Sequence, residues 1–391
     1  MTYLQHIDRE KLLPIGRFVF AGIFILFLIS FYLPLTSKSV NNIFYVGLAF
    51  PSALIAANHF SQLKEILRDF YWFFLIILVI SLLDFNEAKD LKEGVYLLLF
   101  FLTCVFLDRG QEKVKTYLLA FSAFSVLVLT IATVEWVRVW AETSQWKQPL
   151  YPFGKLIHTG FFGSLICFGV LSAWVFGISD WLENRSSKVL YALGFLVVCS
   201  LVLLSATVFQ SRTALLGFAV FFFGFLWYQK QFVLGFLVVG FLLVVALVSG
   251  IYEILLERGL SHRVEIWQEV IRQLTTDCNI WIGCVPGEKI LGQFYHPHNA
   301  YLAMLYRNGI LGASVFLVFI VIFFARTIRV KSRWMLLSLF GWGCLLTEIN
   351  SILTSPEPFW IYFWLPVLMA IIETRQVSQD SRPAGRDTGG K

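Results

Sequence analysis

His298 and Asn299 stand in the run HPHNAYLAMLYRNGILG, with nine residues between Asn299 and Gly309 and two more before Gly312. A neutral imidazole at a membrane surface, next to an amide and just ahead of a helix, is suited to take a proton from a hydroxyl. Two arginines could serve the same chemistry. Arg212 lies in FQSRTALLG and Arg263 in SHRVEIWQEVIRQL. A guanidinium presents a planar fork that matches phosphate oxygens, so two of them near one loop would hold a diphosphate. Plainer readings stand beside each: a structural histidine, a snorkelling Arg212, an Arg263 stacked on Trp267, and a glycine pair that only allows close helix packing.

The elements that position these residues belong to a membrane protein. Hydrophobic residues make up 58% of the 391 positions, charged residues 14%, and mean hydropathy is +0.73, far from the balance of soluble domains. A span needs about 20 mostly apolar residues. The chain offers about twelve such stretches, near 17–35, 42–58, 69–83, 94–107, 116–138, 159–178, 189–209, 213–228, 232–252, 309–325, 334–350 and 358–373. The fold class expected is therefore an all-α polytopic membrane protein with about 12 transmembrane helices and one large loop.

Cations in alternate connections orient it. Lys64 and Arg68, Arg109 to Lys115, Arg185 and Lys188, Lys230, and Arg326 to Arg333 fall in one set, which the positive-inside bias makes cytoplasmic. Arg9, Lys11 and the tail from Arg375 agree, so both termini are expected inside and the loop at 253–308 outside. The formal charge of +6 mostly reflects that bias and argues for anionic lipid head groups rather than nucleic acid. Residues 1–16 lack a cleavable signal pattern, making the first span an uncleaved anchor; the tail 375–391 reads as disordered. The domain reading is 1–252 for spans 1 to 9, 253–308 for the loop, 309–374 for spans 10 to 12, and then the tail.

Within the loop, residues 261–274 place Val264, Trp267, Val270, Ile271 and Leu274 at helical spacing, an amphipathic helix with Ser261 as its expected cap. Arg263 then falls in the first turn, where the positive dipole end favours an anion. Cys278 and Cys284 share this loop and would bond to each other if that side is oxidising; a zinc site joining them to His296 and His298 lacks the usual close spacing. Cys104, Cys167, Cys199 and Cys344 lie in spans, as packing. Trp136, Trp140, Trp146 and Tyr151 read as an interfacial belt, able also to stack on sugars, and His158 starts the sixth span. No HExxH, GxSxG, P-loop or DxD occurs, and the first external connection, TSKSVNN, carries no carboxylate. No metal or cofactor is expected.

The run His298, Asn299, Gly309, Gly312 resembles the marked segment of the bacterial O-antigen ligase and O-antigen polymerase superfamily. SRTALLG around Arg212, and Arg263 with Trp267, are similar to its two other segments, in the same order. One departure is Gly283, Cys284, Val285, Pro286, Gly287 where the family often shows GxG. The resemblance implies a GT-C-like bacterial inner-membrane enzyme with a periplasmic site and amphipathic loop helices. It implies inverting, metal-independent transfer of an O-antigen glycan from undecaprenyl diphosphate to a sugar hydroxyl of the lipid A core. His298 would activate the acceptor. Arg212 and Arg263 would bind the diphosphate, with Trp267, Asn299 and His296 lining the substrate site and Gly309 and Gly312 shaping the following helix.

Two other readings remain from the sequence. A polymerase would use the same residues but take a second lipid-linked repeat unit as acceptor, and protein-glycosylating relatives share the histidine segment. A transporter or flippase would instead carry charges at mid-membrane, whereas Glu135 and Glu348 lie close to expected outer ends. The forty phenylalanines against fourteen tyrosines suit lipid-facing surfaces and grooves for isoprenoid and acyl chains.

Overall fold

The computed structural model describes residues 9–84, 88–108, 113–144, 159–185, 188–249, 263–284, 290–292, 294, 296–347 and 351–380. Continuous apolar runs can satisfy their backbone in lipid only as helices, and the described residues are helical, with no strand and two isolated bridges. In order the helices are α1 (Arg9–Ser30), α2 (Ser37–Asn58), α3 (Phe60–Asp69), α4 (Tyr71–Leu83), α5 (Ala88–Asp108), α6 (Lys113–Thr143) and α7 (Gly160–Leu182). They continue as α8 (Lys188–Val208), α9 (Arg212–Gln229), α10 (Phe232–Ser249), α11 (Arg263–Thr276), α12 (Ala300–Thr327), α13 (Arg333–Cys344) and α14 (Leu365–Asp380), the last entered through a π-helical turn at Trp360–Trp364.

Among the described residues, α2, α6, α7, α8 and α12 are long and apolar enough to cross a membrane. The pair α3 and α4, bent by 81°, would make a sixth span if taken together. The chain is thus a helical protein of polytopic membrane type. Helices lie over the other expected segments too, but some are short: α13 has only 12 residues and ends in a turn at Leu345, so it covers only the first part of the segment expected at 334–350. The span expected at 94–107 belongs to a helix that begins at Ala88.

Aromatic packing and small residues hold the bundle. Phe195, Phe222 and Phe225 stack within it, and Trp360 packs against Phe44 and Phe100. The α9 and α13 helices come closest: a Cβ on Gly217 would strike the Phe340 carbonyl, and one on Gly343 would strike Gly217 itself. Short hydroxyl bonds, Tyr32 to Ser125 and Ser52 to Thr103, both 2.8 Å, join helices inside the core.

The two ends of the bundle differ in chemistry. At one end Arg333 pairs with Asp180, the Tyr228 hydroxyl donates to the Lys331 carbonyl, Ser332 bonds Glu373, and Arg375 meets Asp69 at 2.7 Å. These connections are the cation-bearing ones that sequence analysis assigns to a single side. Arg375 and its ion pair also correct one expectation, because α14 continues as helix to Asp380 rather than becoming disordered at residue 375. The other end carries α11 and the run around His298. The Ser261 cap, Val285 to Gly287, Trp146, Tyr151, His158, Glu348 and the tail beyond residue 380 lie outside the described residues.

Candidate active site

The loop module is built around a small core of its own. Ile266, Val270 and Leu274 of α11 pack with Cys284, Ile290 and Tyr306, and with the partly buried Trp267, Phe294, Leu302 and Leu305. This corrects the expected apolar face. Val264 and Ile271 are exposed, while Ile266 and Gln273 take buried places. Gln273 is there because its side-chain oxygen accepts the Tyr306 hydroxyl at 2.7 Å, so a polar residue occupies an apolar slot in the i, i+4, i+7, i+8 pattern.

Cys278 and Cys284 are bonded to each other and close a small loop at the end of α11. Being disulfide-bonded, neither offers a thiolate to a metal. This loop completes α12, which contains a break. At Gly309 the backbone takes φ +60° and ψ −161°, leaving helical geometry in the middle of Ala300–Thr327. The N–H groups after the break find carbonyls in the disulfide loop, Ile310 bonding Ile280 at 3.0 Å and Leu311 bonding Trp281 at 3.2 Å, while the Cys284 N–H donates to the Tyr306 carbonyl. A Cβ on Gly309 would collide with the Trp281 carbonyl, so both conformation and space demand glycine here. Gly312 has a different role from the one expected. What a Cβ there would meet first is the side chain of Asn308 in the same helix, across the break.

His298 sits at the start of this construction. It adopts φ +52°, an unusual state for a non-glycine residue that persists only where the surroundings over-determine it. They do so here. The Trp267 indole donates to the Pro297 carbonyl at 2.9 Å, the Asn299 side chain caps α12 by accepting from the Leu302 N–H at 3.0 Å, and the Ala300 N–H donates to Leu345 at 2.8 Å. Three contacts from three elements thus fix the residues on either side of the imidazole, which is itself half-buried. Asn299 therefore acts first as a helix cap.

His296 stacks edge-on against His298 with ring centroids 4.8 Å apart. Its burial, and secondarily the charge of Arg307, depress its pKa below the ordinary histidine value, which keeps it neutral at neutral pH.

Arg263 is the first residue of α11, one turn from Trp267, so the indole bond ties the arginine helix directly to the His298 segment. Arg212 is the first residue of α9, after Ser211, whose hydroxyl oxygen caps the helix through the Ala214 N–H at 3.2 Å and whose own proton goes to the Gly160 carbonyl. Next to Arg212, Thr213 bonds Thr347 at 3.0 Å, two residues beyond the Leu345 carbonyl that holds Ala300. Both arginines are partly exposed and both occupy the positive end of a helix, a position that favours anions. Trp267, His296, His298 and Asn299 thus share one connected segment, with Arg263 one helical turn from Trp267, and the backbone beside Arg212 is linked to that segment through Thr213 and the turn after α13.

Several positioning residues escaped the sequence reading: Gln273, Tyr306, Thr213, Thr347 and Leu345. Only Gln273 left a trace, as the polar member of an otherwise apolar face. Of the expected aromatic belt, Trp136 is partly buried against the core and Trp140 is exposed. Glu135 is ion-paired with Arg138 on the exposed surface of α6.

A protein of Pseudomonas aeruginosa named O-antigen ligase is 28% identical to this chain over 131 residues, 30% of this chain and 31% of that protein. The likeness is partial. The chain spans 31% of the length of the curated relative it matches, and no family model matches it. With the helical architecture, this likeness is to a protein that the chain resembles over one part of its length.

Proposed function

We propose that the chain is an O-antigen ligase, a metal-independent inverting glycosyltransferase that moves a glycan from undecaprenyl diphosphate to a sugar hydroxyl of the lipid A core. The observation that carries the reading is the strained, three-way-held turn at His298, tied on one side to the helix of Arg263 and linked on the other to that of Arg212. The printed name of the partial relative favours ligase over polymerase.

In this mechanism His298 removes the proton of the acceptor hydroxyl as its oxygen attacks the anomeric carbon of the donor. The bond from that carbon to the diphosphate breaks on the opposite face, inverting the centre, and the electron pair leaves on the diphosphate. Arg212 and Arg263, each with a helix N-terminus beside it, offset the charge that develops there. His296, Trp267 and Asn299 line and shape the acceptor side. Both substrates are lipid-anchored and diphosphate leaves readily, so positioning supplies much of the rate.

The same proposal includes the placement: about twelve spans in the bacterial inner membrane, residues 253–308 as a periplasmic loop, and both termini in the cytoplasm. The end of the bundle rich in arginine and lysine is the cytoplasmic one.

Product identity tests the function. Purified protein is incubated with glycan-linked undecaprenyl diphosphate and lipid A core. The ligase reading expects glycan on the lipid A core. A lengthened lipid-linked glycan with the core untouched would instead identify a polymerase.

A further inference from the structure

The disulfide loop at residues 278–284 ends in an apolar tip that no part of the proposed chemistry uses. Ile280, Trp281 and Ile282 are exposed, Trp281 to 59% and Ile282 to 61%. A soluble surface seldom presents three consecutive large apolar residues, and such a patch marks an interaction site.

Four of the six backbone polar groups of Ile280, Trp281 and Ile282 are already paired. Asn279 takes the Trp281 N–H on its side-chain oxygen at 2.9 Å and the Ile282 and Gly283 N–H groups on its carbonyl at 3.2 and 2.7 Å. The Ile280 and Trp281 carbonyls are taken by Ile310 and Leu311 of α12. Loops are excluded from lipid chiefly by unpaired backbone groups, so with most of its groups paired this one leaves water at a lower cost than an open loop, and the head-group level can serve the rest.

Its depth follows from α12. Arg307 and Arg326 bracket an uncharged stretch of 18 residues, 308–325, close to the ~20 that a ~30 Å hydrocarbon layer requires. The tip bonds to residues 310 and 311, just within the Arg307 end. It also stands at the head of a stripe of exposed side chains, Leu311, Leu317, Val318 and Val321, which is the surface such a helix turns to lipid. Tryptophan at that level is the residue type interfaces favour.

We infer that Ile280–Trp281–Ile282 is a membrane-seated anchor, inserted among the head groups and upper acyl chains of the leaflet on the His298 side. The anchor continues the lipid-facing stripe of α12. Through the Gly309 break it sets the height of the loop module above the hydrocarbon, and therefore of His298 relative to the head group of a lipid-linked substrate.

The test does not depend on activity, so it stands or falls apart from the proposed reaction. The full chain is labelled with 5-fluorotryptophan and placed in lipid nanodiscs, and the fluorine resonance missing from Trp281→Phe is assigned to Trp281. Trp281→Tyr identifies the same resonance should the first variant insert poorly. The anchor predicts that this resonance loses intensity to a nitroxide carried on the upper acyl chain and keeps it against an aqueous gadolinium chelate. Loss to the chelate alone would place the tip in water and overturn the inference. Protection from both reagents, as beneath a second copy of the chain, would overturn it as well.

Discussion

The bundle and the loop module are held together by different physics. In the bundle, Phe195, Phe222, Phe225, Trp360 and their neighbours fill space, and no single contact decides where a given atom sits. In the module a few directional devices do the holding: one disulfide, one indole bond, one Gln273–Tyr306 bond and one glycine break. Packing tolerates substitution with graded loss, whereas a device fails when its one atom is gone. The residues proposed for chemistry lie in the module or at its border. The proposed catalytic geometry is therefore set by the part of the molecule with the smallest core.

That contrast can be broken or sharpened by substitution. Replacing His298 with alanine should have the largest effect, removing the proposed base, a group whose contribution is typically about 10²–10⁴-fold, while the disulfide and membrane insertion persist. Transfer assays on Arg212→Ala and Arg263→Ala should follow, each losing about 10²–10³-fold if it stabilises the leaving diphosphate. Near-normal transfer by an inserted Arg263→Ala protein would remove that role. Gly309→Ala forces both an unfavourable φ and a collision with Trp281, so hydrogen exchange should rise in residues 278–284 and 298–311 but stay unchanged in α8 and α9. Phe195→Leu is the converse. It should lower thermal stability by about 1 kcal/mol and leave transfer rates alone.

The smallest effect concerns pH. Because the folded-state pKa of His296 is depressed, the unfolded chain binds more protons below its own value of about 6.5. The contribution of His296 to module stability is thus constant above that pH and falls as pH drops from there towards the lower folded-state pKa. His296→Asn should flatten this part of a pH series of hydrogen exchange in residues 296–311. An unchanged slope would show that another group carries it.

Much of this arrangement was legible in the residues, for reasons that also explain the rest. Apolar runs announce helices because lipid leaves the backbone no alternative, and α6, α8 and α12 lie where hydropathy puts them. The His298, Asn299, Gly309, Gly312 spacing and the two arginine helices were visible as local patterns. The break at Gly309 was not, since residues 300–308 continue the helical pattern into the next segment and no neighbouring residue signals that a loop from elsewhere will supply the missing carbonyls. The buried face of α11 was misplaced because Gln273 is polar and its partner, Tyr306, is distant in sequence. Likewise, the link from Arg212 to His298 passes through the Leu345 carbonyl, a backbone atom that no side-chain pattern can reveal.

The most direct measurement of the central claim is a comparison of wild type with His298→Ala in proteoliposomes containing EDTA, lipid-linked glycan and lipid A core, with the Cys278–Cys284 bond verified in both. Transfer to lipid A core by wild type and near-complete loss in the variant are expected. Equal transfer by both proteins would contradict that claim, and so would a wild-type activity that EDTA abolishes.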